Sequence, residues 1–364
     1  MHVNETMRSP SIQAPLVNEQ LVLSRLSSLA GAKGAASLSS RLADLADFVV
    51  NELQVFEQIW QALPQDRNVV DLAAAQILNV PGKRLRPLCV VLASELGRAE
   101  PEPVRQLAVA VEEVHCATLL HDDVIDLSDL RRGQPTSRMV YGNAASIFAG
   151  DWLLIDALRR VRKAHVPGML DQLLGIIDEM IAAEALQLEL RGRLDARRET
   201  YFQVIEGKTA SLFRWAMMAG GRAAGLSESA IQHLEQFGNQ LGLAFQLIDD
   251  LLDLTGDPAV TGKALFTDLR EGKMTFPLIV ALEHNPGLAA TLSEVLAENP
   301  EAPVAAPLAQ RIREALHAAR AEEACREQAL KAAEEALRAL RHLPEGRARF
   351  SLETVVMATI SREK

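Results

Sequence analysis

Aromatic residues make up only 4% of the 364-residue chain, and just two of them are tyrosines. A sheet-built core would need more Tyr, Phe, Val and Ile; the apolar segments here are rich in Ala and Leu interleaved with Glu and Arg, a composition that favours helix. Cysteine is equally scarce. Cys89, Cys116 and Cys325 stand far apart, in no CxxC or CxH pattern. That spacing excludes a disulfide framework and a structural zinc site, and it suits a reducing compartment. No run approaches roughly 18 consecutive apolar residues, so no transmembrane helix is expected. The opening stretch MHVNETMRSPSIQAPLVNEQ lacks the basic and apolar regions of a secretory signal and is too poor in Arg for a transit peptide. A cytoplasmic location is expected. Positive charge is in deficit: the formal net charge of −10 makes nucleic acid an unsuitable partner.

What is present is core material. Hydrophobic residues are 48% of the chain, which excludes disorder throughout. Residues 1–40, with the small-residue run Gly31 to Ser40, read as a weakly structured extension. From Leu42 onward apolar residues recur at spacings of three and four, as in Leu45, Phe48, Val49, Leu53 and Phe56, or Val104, Leu107, Val111 and Val114. Short Gly- and Pro-containing breaks punctuate them, and no alternating strand pattern or fixed repeat is found. The expectation is an all-α fold, a single-domain bundle of ten or more helices over residues 41–364.

Six of the 18 aspartates fall in two copies of one pattern, His121-Asp122-Asp123-Val-Ile-Asp126 and Ile248-Asp249-Asp250-Leu-Leu-Asp253. On a helix, positions i and i+4 share a face and i+1 lies about 100° round, so each copy gathers three carboxylates on one turn. A single such turn could be a solvated acidic face. Two copies embedded in apolar sequence are not, because solvent cannot screen like charges there. Carboxylate oxygens as ligands, without His or Cys among them, select a hard cation such as Mg2+, which takes one or two of them plus phosphate oxygens.

Cations follow the same logic. Gly82-Lys-Arg-Leu-Arg-Pro87, Arg131-Arg132, Gly207-Lys208, Gly262-Lys263 and Arg270-Glu-Gly-Lys273 are ordinary surface charges one at a time. Together, in an acidic protein with a metal site, they read as an anion cage. No GxxxxGK[ST] pattern is present, which disfavours a P-loop nucleotide enzyme.

The array GKRLRP, LLHDDVIDLSDLRRGQPT, GNAAS…GDWLL, EALQL, GKTASLF, FQLIDDLLD and GKMTFPLI resembles the trans-isoprenyl diphosphate synthases, or polyprenyl synthetases, in order and in spacing. The likeness runs from about residue 45 to the C-terminus and is greatest to the bacterial long-chain members such as the octaprenyl diphosphate synthases. It implies helices around a central cavity and the condensation of an allylic diphosphate with isopentenyl diphosphate, releasing pyrophosphate. It also implies about three Mg2+ ions, or Mn2+ in their place, held by Asp122, Asp123, Asp126, Asp249 and Asp253, with Asp250 in support. Arg131, Lys208, Lys263 and Lys273 would complete the allylic diphosphate site. Lys83, Arg86, His115 and Arg132 would bind isopentenyl diphosphate without metal. Thr209 and Gln246 would face the developing allylic cation, and a homodimer is implied. On its own, His115 reads as a hydrogen-bonded core histidine.

Two positions depart from the family pattern: Pro81 and Phe266 stand where Gly is usual. A class I terpene cyclase would usually replace the second aspartate cluster, and a non-catalytic subunit of a hetero-oligomeric synthase would tend to lose aspartates; neither loss is seen. Product length is read from Ala117 and Thr118, five and four residues before Asp122. Where short-chain members carry an aromatic block, both side chains are small, which predicts a product of about C30 to C50, each helical turn of roughly 5 Å admitting about one isoprene unit. The alternative is a farnesyl- or geranylgeranyl-length product, with Phe148 or Trp152 closing the tunnel early.

Overall fold

The computed structural model describes residues 36–63, 68–80, 82–255, 265–297 and 303–362. The chain is all-α, as expected. Helix α1 (Ala36–Gln61) takes in Ala36 to Ser40, which composition alone assigns to the extension. Leu38, Leu42, Leu45 and Val49 form one buried stripe along it, so tertiary burial extends a helix that small residues would not start. Asn68 then caps α2 (Val69–Leu78): its side-chain oxygen accepts the N–H groups of Val70 and Asp71.

The centre is built from α3 (Leu85–Ser94), α4 (Pro101–Ile125), α9 (Ser211–Ala223) and α10 (Glu228–Thr255). In α3 every residue except Arg86 is buried. Helices this apolar approach each other backbone to backbone. A Cβ on Gly220 of α9 would collide with the carbonyl of Val90 in α3, and one on Gly242 of α10 would collide with Ala210.

Between α4 and α5 (Ser137–Tyr141) lies a hairpin too short for periodicity to reveal, pairing Leu130 with Pro135 and Arg131 with Gln134. Its two turn residues, Arg132 and Gly133, both have positive φ (52° and 75°), as a tight two-residue turn requires. Helices α6 (Asn143–Ala164) and α7 (Met169–Leu190) follow, then α8 (Arg198–Ile205) and a π-helical turn, Glu206–Ala210, leading into α9. Beyond α10, the helices α11 (Thr267–Arg270), α12 (Phe276–His284), α13 (Leu288–Ala297), α14 (Ala306–Ala318), α15 (Ala321–Leu340) and α16 (Arg347–Ile360) complete the bundle. Among the described residues no helix is long and apolar enough to cross a membrane.

Candidate active site

Both aspartate patterns lie at C-terminal ends of long helices, α4 and α10, where the chain leaves the core. Around the first, each carboxylate has its own basic partner. Asp122 is 3.4 Å from the ammonium of Lys208, which also reaches Glu184 (2.5 Å) and Gln187 (3.0 Å) on α7. Asp123 is fully buried and accepts Nη2 and Nε of Arg131 at 2.8 and 3.1 Å. Burial raises the Asp123 carboxyl above its ordinary range despite that pairing. Asp126 accepts Lys273 Nζ at 2.8 Å and lies 3.4 Å from Arg191. Burial works against the Lys273 ammonium, but Glu271 and Asp126 more than offset it and hold its pKa well above the usual lysine range.

The second pattern is engaged differently. Asp249 pairs with Arg362 at 2.6 Å. Asp250 is buried between the Tyr201 hydroxyl and the Gln246 amide, each donating at 2.7 Å, and burial pushes its carboxyl up to about 7. Asp253 accepts the backbone N–H groups of Thr267 and Asp268 at the start of α11. Phe266, where Gly is usual in the family, sits just before them at φ 61°. The left-handed backbone that favours glycine is thus retained, and the ring is buried among Leu254, Leu269 and Leu278, offsetting the strain.

Lys208 and Thr209 lie in the π-helical turn, an irregularity that recurs at functional sites because it re-aims side chains within a helix. Gly207 allows the turn to press against α7: a Cβ there would meet Ala183 at 2.7 Å. The Thr209 hydroxyl donates to Gln246 Oε1 at 2.8 Å, so these two residues join Asp250 and Tyr201 in one hydrogen-bonded chain.

The other cations gather around the rings of Phe213 and Phe245. Arg86 lies over the Phe213 ring at 4.5 Å, while Lys83 (6.0 Å) and Arg362 (4.8 Å) share the Phe245 ring. His115 is near them and its pKa falls well below the usual imidazole value, first through burial and then through Arg86, Arg131 and Arg132. Burial also lowers Arg86 and Arg132. Cys89 and Cys116 are buried with thiols pushed up to about 12, chiefly by burial, so neither is a ready nucleophile.

Among the described residues no three acidic or histidine side chains converge as a ready-made metal cage. Oxygen-only donors spread over two helices instead suit a cation that keeps few protein ligands and completes its shell with water and phosphate oxygens, which describes Mg2+. Lys263 and Pro81 lie outside the described residues. Ala117 is buried, and the Thr118 hydroxyl turns back onto the His115 carbonyl. Phe148 is 58% exposed and points away from the core, whereas Trp152 packs partly against it. Sequence reasoning missed Tyr201, Glu184, Gln187, Arg191, Glu271 and Arg362. Glu184 and Gln187 carried a signal in the EALQL segment; Arg362, just after an apolar helix and in no motif, carried none.

Comparison with known proteins accords with this geometry. Residues 67–312 match the polyprenyl synthetase family. The chain is 34% identical over 306 residues to the octaprenyl diphosphate synthase of Escherichia coli (strain K12), covering 84% of this chain and 94% of that protein. It is 35% identical over 266 residues to heptaprenyl diphosphate synthase component 2 of Geobacillus stearothermophilus, covering 73% and 82% respectively. Geranylgeranyl diphosphate synthases are also among its relatives. The crystal structure of a polyprenyl synthase from Caulobacter crescentus, complexed with calcium and isoprenyl diphosphate, superposes with a TM-score of 0.82 at 32% identity, covering 88% of this chain and 98% of that one. The chain therefore belongs to the polyprenyl synthetase family, prenyltransferases with the all-α isoprenoid synthase fold.

Proposed function

We propose that this prenyltransferase condenses an allylic diphosphate with isopentenyl diphosphate repeatedly, to an all-trans product of about C30 to C50, the length that a wall with small side chains at each helical turn admits. The observation that carries the reading of the two aspartate turns as one diphosphate site is the link through Lys273. Its ammonium bonds Asp126 of the first aspartate turn, and its backbone N–H bonds the carbonyl of Asp268, whose own N–H caps Asp253 of the second. Asp122, Asp123, Asp126, Asp249 and Asp253, with Asp250 supporting, would hold Mg2+, which supplies electrostatic stabilisation to the leaving diphosphate. Arg131, Lys208 and Lys273, with Lys263, supply further positive charge to the same diphosphate as its C–O bond breaks. The oxygens of Thr209 and Gln246 face the allylic cation, and apolar walls keep water from it. Lys83, Arg86, Arg132 and neutral His115 hold isopentenyl diphosphate so that its alkene attacks the cation. The proton lost after that carbon–carbon bond forms goes to the released pyrophosphate.

Small side chains at Ala117 and Thr118, with Phe148 turned outward, support the long product. A shorter product is the second reading, favoured by one observation: Glu113, one turn before Ala117, is fully buried and accepts Arg160 of α6 at 2.9 Å, and such a charged pair would stop an apolar tail. Exposed apolar rows, Phe148 and Ile155 on α6 and Leu174, Ile181 and Leu188 at seven-residue spacing on α7, support an isologous homodimer. The kinship with a protein named as a component leaves a hetero-oligomer as the other arrangement. Purified protein with radiolabelled isopentenyl diphosphate, Mg2+ and each allylic primer in turn tests the reaction and measures the product. Absence of incorporation with every primer would overturn the proposal, and sedimentation of the chain alone tests the dimer.

A further inference from the structure

Arg84, the middle cation of Gly82-Lys-Arg-Leu-Arg-Pro87, points away from its neighbours and into the protein. It precedes α3 with φ 51° and ψ 35°, a left-handed conformation that crowds any side chain bearing a Cβ. Its guanidinium is nonetheless buried and held on several sides. Nη1 donates to Glu112 Oε1 at 2.8 Å, Nη2 donates to the Leu78 carbonyl at 3.3 Å, and Nε lies 3.7 Å from Glu57. The plane stacks on Trp60 at 4.5 Å, and the Trp60 indole donates to the same Leu78 carbonyl. Glu57 and Glu112 are themselves buried, so two carboxylates enclose the one guanidinium and fix a residue of a strained turn.

The flanking cations do not share that fate. Arg86 lies over Phe213, and its Nε is buried without a hydrogen-bond partner. The Cα of Gly82 rests against the guanidinium groups of both Arg84 and Arg132: an added Cβ would lie 3.3 and 3.5 Å from them. Glu112, on the same helix as His115, is also the carboxylate that acts on Arg86 and Arg132. From this geometry we infer that Arg84 is a positioning residue: clamped by Glu112, Glu57 and Trp60, it holds the left-handed turn so that Lys83 and Arg86 face the diphosphate of isopentenyl diphosphate. The inference rests on the reading of Lys83 and Arg86 as that substrate's site.

Two substitutions separate this role from a simple turn requirement. Arg84→Gly removes the clamp while easing the backbone strain, and Arg84→Lys keeps a cation but loses the planar fork. Each purified variant is assayed for KM toward both substrates and for kcat, with thermal unfolding measured alongside. Arg84→Gly should raise the KM for isopentenyl diphosphate about ten-fold or more while the allylic KM and kcat stay within about two-fold, a loss on the order of that seen when the partners orienting a metal-binding side chain are removed. Arg84→Lys and Glu112→Gln should fall between it and wild type. An unchanged isopentenyl diphosphate KM in Arg84→Gly would overturn the inference, as would an equal rise in both KM values. If Arg84→Gly does not fold, Arg84→Lys decides by the same criterion. In parallel, Lys83→Ala with an unaltered isopentenyl diphosphate KM would show that the site assignment had failed, and the positioning role with it.

Discussion

Lys273 donates to Asp126 at 2.8 Å across 147 positions of sequence. The contact exemplifies how the protein offsets the charge of its aspartate clusters. Repulsion among the carboxylates is relieved by basic side chains drawn from other helices and loops: Lys208 for Asp122, Arg131 for Asp123, Lys273 and Arg191 for Asp126, and Arg362 for Asp249.

Asp122→Asn and Asp249→Asn should each lower turnover by at least about 100-fold, the scale on which groups stabilising transition-state charge act. The fold should persist, because asparagine keeps an acceptor for Lys208 or Arg362. Steady-state assays over a range of Mg2+ concentration, with circular dichroism as the control, check this. Near wild-type turnover in either variant would remove the metal assignment.

Removing a cation from each site should give different kinetic signatures. Arg132→Ala should raise the KM for isopentenyl diphosphate about ten-fold with little change in kcat, through loss of ground-state binding. Lys208→Ala should lower kcat by about ten-fold or more, because its charge lies where the leaving group develops. Identical defects toward both substrates in both variants would contradict two separate diphosphate sites.

Ala117→Phe should shorten the product to about C15 or C20 and leave the first condensations intact, because an aromatic ring one turn or so above the aspartates fills the space of the later units. Chromatography of dephosphorylated products measures this. A wild-type product that stops at C15 with excess isopentenyl diphosphate would favour the Glu113–Arg160 pair as the floor.

His115 makes stability depend on pH in a definite direction. Its folded-state pKa lies well below the unfolded value, through burial and the neighbouring arginines. The unfolded chain therefore takes up a proton that the folded chain refuses, and stability present above about pH 6.5 is lost as pH falls, by at most about 1.4 kcal/mol per pH unit. Between about pH 7.5 and pH 5.5 the wild type should lose more stability than His115→Gln in denaturant titrations. Parallel losses would show that His115 does not carry the effect.

Helical character was legible because it resides in local pattern: apolar residues at spacings of three and four along nearly the whole chain, and little aromatic or alternating sequence. The aspartate turns were legible for the same reason, since each falls within five consecutive residues, little more than one helical turn of about 3.6 residues. What local pattern could not decide was which charge meets which. Arg84 and Arg86 lie two positions apart, yet one is locked to Glu112 and the other lies over Phe213. Tyr201 meets Asp250 from 49 positions away, and Arg362 reaches Asp249 from beyond the final helix. Phe266 reads as a departure until its φ of 61° and buried ring are seen together. Ion pairs and hydrogen bonds act over a few ångströms in space, whatever the separation in sequence. Residue chemistry therefore determined what kind of site this protein could have, and only the packing of its helices decided how that site is held.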